Sequence, residues 1–121
     1  MGQTVVVVDD DPGFRSLIGR LLNETGFDVV GDAADGEEAL AVTRRLHPDI
    51  VLLDVQMPGR DGFSVARQLV RESTSLAVVL TSGRSVEDYG HQLANCEGIA
   101  GFMPKEQLSG PGLRDLIDGQ S

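Results

Sequence analysis

With 121 residues, 40% of them hydrophobic, the chain is long enough to bury a sizeable core and is expected to form one domain over residues 1–121. A formal net charge of -9 opposes direct binding to nucleic acid or an anionic membrane, both of which select basic patches. No apolar run approaches membrane-spanning length, no basic-then-apolar leader opens the chain, and the single cysteine, Cys96, excludes an internal disulfide or a CxxC site, so a cytoplasmic protein is expected.

Thr4 to Val8 is a short β-branched run that ends in Asp9, Asp10 and Asp11, and it predicts a first strand stopping at carboxylates. Asp11 is placed to cap a helix with Pro12 in its first turn, and Phe14, Leu17, Ile18, Leu21 and Leu22 follow helical spacing up to Gly26. Phe27 to Val30 reads as a second strand. Asp35 and Gly36 open a second helix, with Glu37 and Glu38 in the first turn where the macrodipole favours acids. Its predicted buried stripe is Ala39, Val42, Thr43 and Leu46, and Pro48 stops it.

Ile50 to Leu53 is an unbroken apolar run, the pattern of a central strand covered on both faces, and it stops at Asp54. A loop with Pro58, Gly59, Asp61 and Gly62 follows, and then a third helix with Phe63, Ala66, Leu69 and Val70 on its apolar side. Leu76 to Leu80 predicts a fourth strand ending in the hydroxyls of Thr81 and Ser82. A weakly amphipathic fourth helix is predicted from about Ser85 to Ala94, with Val86, Gly90 and Leu93 on one side and with Tyr89 and Val86 as candidates for an exposed surface, whether a binding face or ordinary apolar scatter. Ile99 to Met103 reads as the last strand, followed by Pro104 and Lys105, and Leu113, Leu116 and Ile117 mark a closing helix.

Strict alternation of five strands with five helices calls for an α/β fold: a parallel sheet with right-handed crossovers and helices on both faces. The economical arrangement is a doubly wound, flavodoxin-like (βα)5 domain with strand order 2-1-3-4-5, which places the first and third strands at the topological switch point. Asp9, Asp10 and Asp54 would then share a crevice at the carboxyl edge, with Thr81 and Lys105 arriving from the fourth and fifth strands. Carboxylates so close together need a counter-charge, and an all-oxygen donor set favours Mg²⁺. Cys96 reads as a small hydrophobe, and His47 and His91 as surface helix residues.

VDDDP (Val8 to Pro12), LLDVQMPGRDG (Leu52 to Gly62), LTS (Leu80 to Ser82) and GFMPK (Gly101 to Lys105), in this order at four strand ends, make the chain resemble the receiver domain of two-component response regulators over essentially its whole length. The resemblance implies a phosphorylation-dependent signalling switch, not an enzyme with a free substrate. Asp54 would accept a phosphoryl group from a sensor histidine kinase or phosphotransfer protein. It further implies Asp10 and Asp54 as direct Mg²⁺ ligands, the backbone carbonyl of Gln56 as a third, and Asp9 acting through water. Lys105 would pair with a phosphoryl oxygen, Thr81 would hydrogen-bond the phosphoryl group, and Phe102 would be the aromatic switch coupled to it. Phosphorylation would bias the face built by the fourth helix, fifth strand and fifth helix toward a downstream protein partner or a homodimer.

The chain departs from many receivers in having Pro104 before the lysine and Glu106 after it; the GFMPK form is similar to that of single-domain regulators and of receivers ahead of helix-turn-helix output domains. Two other readings compete. A Mg²⁺-dependent aspartyl-phosphate phosphatase of the haloacid dehalogenase type would want an acid two residues after the nucleophile, where this chain has Gln56. A flavodoxin-like binding module or pseudo-receiver, never phosphorylated, would not need the complete acid pocket.

Overall fold

In the computed structural model, which describes residues 2–57, 59 and 61–119 and all of their side chains except that of Val86, five strands alternate with helices. The order is β1 (Thr4–Val8), α1 (Pro12–Glu24), β2 (Asp28–Ala33), α2 (Gly36–Leu46), β3 (Ile50–Asp54), α3 (Gly62–Glu72), β4 (Ala77–Ser82), α4 (Gly90–Ala94), β5 (Gly101–Pro104) and α5 (Gly110–Asp118). All strand pairs are parallel and the sheet runs β2-β1-β3-β4-β5, the flavodoxin-like order expected from the alternation.

Period-two alternation along the strands splits the core into two layers. Val6, Val8, Val51, Leu53, Val78 and Leu80 pack with α2 and α3 on one face. Val5, Val7, Ile50, Leu52 and Val79 pack with α1 and α5 on the other. Because β1 and β3 lose side chains to both layers, their runs are continuously apolar until the chain leaves the sheet. The first polar residue after each run therefore lands at the carboxyl edge.

Helix starts follow the capping chemistry of the sequence. Asp11 accepts hydrogen bonds from the Gly13 and Phe14 N–H groups, with Pro12 at the first helical position of α1. At α2, Asp35 accepts from Glu38 N while Glu38 Oε1 accepts from Ala34 N, a reciprocal cap. His47 closes α2 in the left-handed conformation, with φ 48.

Several expected boundaries and faces are corrected. β2 begins at Asp28 and runs to Ala33, with Phe27 buried just before it. β4 begins at Ala77, one residue later than expected, and ends as expected in Thr81 and Ser82, which pair with Met103 and Pro104 of β5. β5 starts at Gly101, later than predicted, and Pro104 is tolerated because β5 is an edge strand. Leu17 is 59% exposed on α1, and on α2 Leu46 is exposed while Leu40 takes its place in the core.

The fourth helix differs most. A 3₁₀ turn covers Val86–Tyr89, and only Gly90–Ala94 is α-helical. Tyr89 points inward, 8% exposed, instead of standing on an exposed surface; the side chain of Val86, its predicted companion there, lies outside the described residues, as does Pro58 of the β3–α3 loop. The reason is aromatic packing. The Tyr89 ring lies between Phe63 (5.6 Å between centroids) and Phe102 (5.9 Å), and a regular helix through Val86–Ala94 would have to give up that position.

Candidate functional site

Register alone brings the predicted carboxylates together. Val8 pairs with Leu53, so Asp9 and Asp54 each follow at the same height, and Asp54 pairs with Thr81 on the next strand. Asp9, Asp54 and Thr81 are all buried, whereas Asp10 is exposed at the rim. One carboxylate oxygen each of Asp9, Asp10 and Asp54 lies within 4.8 Å of the others.

Lys105 opens a short 3₁₀ turn immediately after β5, and its ammonium closes this cluster. Nζ lies 2.7 Å from Asp9 Oδ2 and 3.1 Å from Asp54 Oδ2. The contact with Asp9 is a close ion pair and not an aligned hydrogen bond. The other oxygens are held by backbone: Asp9 Oδ1 accepts from Asp11 N at 2.9 Å, and Asp54 Oδ1 from Gln56 N at 2.9 Å. Burial pushes the Asp54 carboxyl above the usual carboxylate range, against the opposing pull of the Gln56 N–H and Lys105. Burial disfavours the Lys105 ammonium, but its contacts with Asp9 and Asp54 outweigh that and the net shift is upward.

One ammonium does not balance three carboxylates, and the donors are all hard oxygen atoms. The cluster therefore fits a divalent cation bound by oxygen ligands. Thr81, in register with Asp54, has a buried hydroxyl with no hydrogen-bond partner among the described residues. Phe102, half-buried on β5, packs against the α2–α3 layer and the Tyr89 ring.

Three side-chain contacts at the site had no signal in the sequence. The Phe14 ring from α1 lies under Lys105, 4.5 Å from Nζ to the centroid. Arg15 donates from Nη1 to the Asp9 carbonyl at 2.6 Å and from Nε to Asp32 Oδ2 at 3.0 Å, which anchors the turn carrying Asp9. Ser82 is fully buried, and its hydroxyl donates to Gln56 Oε1 at 2.8 Å. The Phe14 and Ser82 contacts join segments distant in the chain, and Arg15 reaches back across the β1–α1 turn and over to β2, so neither spacing nor motif reveals them. His47 and His91 are both exposed, and Cys96 is buried beside Phe63.

Among the described residues, no helix is long and apolar enough to cross a membrane. The family model of the response regulator receiver domain matches residues 5–116. The chain is 39% identical over 114 residues to the response regulator GacA of Pseudomonas viridiflava, covering 93% of this chain and 51% of that protein. It is 40% identical over 107 residues to the probable transcriptional regulator ycf27 of Porphyridium aerugineum, covering 86% of this chain and 44% of that protein. The chain thus spans about half the length of these curated relatives. Among solved structures it is similar to the signal receiver domain of NarL from Mycobacterium tuberculosis, with 35% identity, a TM-score of 0.84 and 98% of each chain covered. A CheY-like receiver from Methanospirillum hungatei, 18% identical with a TM-score of 0.83 over 99% of this chain and 94% of that one, shares the fold. An acid cluster closed by a lysine at the carboxyl edge of a 2-1-3-4-5 sheet and a family match over nearly the whole chain lead to one conclusion: the chain belongs to the response regulator receiver domain family of two-component systems.

Proposed function

We propose that residues 1–121 act as one phosphorylation-dependent switch in which Asp54 accepts a phosphoryl group from a phosphohistidine on a sensor histidine kinase or phosphotransfer protein. The observation that carries this is the Lys105 ammonium 3.1 Å from the buried Asp54 carboxylate. A carboxylate oxygen of Asp54 attacks phosphorus, the phosphorus–nitrogen bond of the donor breaks, and the ring nitrogen keeps the electron pair while the ring takes up a proton from solvent and leaves as imidazole; an acyl phosphate remains on Asp54. Lys105 would follow the charge from the carboxylate onto a phosphoryl oxygen. The unpaired Thr81 hydroxyl supports the same reading, because a phosphoryl oxygen on the adjacent strand would satisfy it.

Mg²⁺ fits the carboxylate donor set; Asp10, the Asp54 carboxylate and the Gln56 carbonyl would hold it, with Asp9 acting through water, and it would supply positive charge to neutralise the phosphoryl oxygens. Asp9 and Lys105 keep Asp54 oriented before transfer. Phe102, in contact with the Tyr89 ring, would relay the change from Thr81 to the face of α4, β5 and α5, where a downstream protein or a second copy would bind. The reading is of a cytoplasmic signalling module without a free substrate of its own.

The test is intact mass after incubation with Mg²⁺ and acetyl phosphate, beside Asp54→Asn. One Mg²⁺-dependent phosphoryl adduct, absent from the mutant, is expected. A folded protein that gains no adduct from acetyl phosphate or from a phosphorylated histidine kinase would overturn the reading and leave a receiver that signals by binding alone.

A further inference from the structure

The buried Ser82 hydroxyl is the centre of a hydrogen-bond chain that leaves the site and ends in the aromatic cluster. Its oxygen lies 2.8 Å from Gln56 Oε1, 2.9 Å from the Tyr89 hydroxyl and 3.1 Å from the Arg84 N–H. A serine hydroxyl has one proton and two lone pairs. The Gln56 carbonyl oxygen can only accept, so it takes the Ser82 proton; the Arg84 N–H and the Tyr89 O–H then fill the two lone pairs. Every position on Ser82 is used, and the order is fixed: Tyr89 donates to Ser82, and Ser82 donates to Gln56. At the near end, Gln56 N donates to Asp54 Oδ1. At the far end, the Tyr89 ring is wedged between Phe63 and Phe102, so its hydroxyl has little freedom to leave.

We propose that Ser82 and Tyr89 are positioning residues that tie the Gln56 carboxamide to the end of β4 and thereby prolong the life of the phosphoryl group on Asp54, an inference that rests on the acceptor role proposed above. Loss of that group is hydrolysis. A water oxygen attacks phosphorus, the bond from phosphorus to the Asp54 carboxylate oxygen breaks, that oxygen keeps the electron pair, and the water proton passes to solvent with release of inorganic phosphate. A carbonyl oxygen that accepts a hydrogen bond from the attacking water assists this step. Gln56 carries such an oxygen at the exposed mouth of the site, two residues after the acceptor, but Ser82 holds it. Releasing the carboxamide lets Oε1 reach the water.

The full chain is phosphorylated with acetyl phosphate and Mg²⁺, freed of donor, and the decay of the adduct is followed by intact mass. Tyr89→Phe keeps the ring and removes only the hydroxyl, and Ser82→Ala removes the link itself. Both are expected to shorten the adduct half-life by about threefold, the scale of one neutral hydrogen bond. In a Gln56→Ala background, Tyr89→Phe is expected to leave the half-life unchanged, because the coupling runs through the carboxamide. A general loosening of the fold would shorten the half-life with or without Gln56, so persistence of the effect in that background overturns the proposal. Equal half-lives for wild type, Tyr89→Phe and Ser82→Ala also overturn it. Failure of the wild type to form any adduct overturns instead the acceptor reading beneath it.

Discussion

The Lys105 ammonium sits 4.5 Å from the centroid of the Phe14 ring, so the cation that bridges Asp9 and Asp54 is backed by the aromatic face of a residue on α1. A cation over a ring in a partly desolvated place contributes about 0.5–2 kcal/mol. Phe14→Leu is expected to lower stability by roughly that amount beyond its packing loss, as measured by urea unfolding in chelator. In a Lys105→Met background the excess should vanish; an equal loss in both backgrounds would reduce Phe14 to a packing residue.

Lys105→Met removes the cation from two buried carboxylates. Breaking a buried pair is costly because an uncompensated charge stays behind, and partial exposure of Lys105 (25%) moderates the effect to about 2 kcal/mol. The loss is expected in metal-free buffer and should largely recover in millimolar Mg²⁺, since a cation bound only by the folded state adds to stability. Urea curves with and without the metal check both halves, and equal stability of mutant and wild type in chelator would contradict the electrostatic account.

Gly62 starts α3 directly against the end of β3. A Cβ there would lie 2.5 Å from Val55 Cα, 2.9 Å from Val55 O and 3.0 Å from Asp54 O, all of them backbone atoms that cannot rotate away. Gly62→Ala is therefore expected to cost about 1–3 kcal/mol, the range for overpacking, and to slow adduct formation on Asp54 by displacing its peptide. Wild-type unfolding midpoints would show that the loop yields freely.

Cys96 is buried, and burial raises its thiol above the ordinary range. As pH climbs through that range the unfolded chain releases the thiol proton while the folded chain keeps it, so the folded state holds more protons and its stability falls with rising pH. Cys96→Ala is expected to flatten this alkaline decline. Alkylation at pH 8 should be about tenfold or more slower in the native protein than in urea, because thiolate is the reactive form and is scarce in the fold. Equal labelling rates would mean that the α3–β5 side opens readily.

The sequence by itself determined the sheet and most of the acid pocket. Apolar runs ending at Asp9 and Asp54 encode both the strands and the edge at which their carboxylates emerge, because a strand covered on both faces must stay apolar until it leaves the sheet. Lys105 was legible for the same reason, standing one residue beyond an apolar edge strand. Helix starts were legible from Asp11 and Asp35, whose capping bonds are local.

What only the tertiary structure decided are contacts between segments with no local period in common. Phe14 has the spacing of an ordinary core residue, and nothing in α1 says that Lys105 will rest on it. Leu17 and Leu46 fit helical stripes yet stay exposed, because the sheet below covers a narrower strip than the apolar pattern offers. Tyr89 lies in a polar, glycine-containing stretch with weak preference for helix, so the energy of seating one aromatic ring between Phe63 and Phe102 decides the backbone there. That burial turns a residue expected on the surface into the inner end of a hydrogen-bond chain to Gln56, since a buried phenol hydroxyl needs a partner and finds one in Ser82.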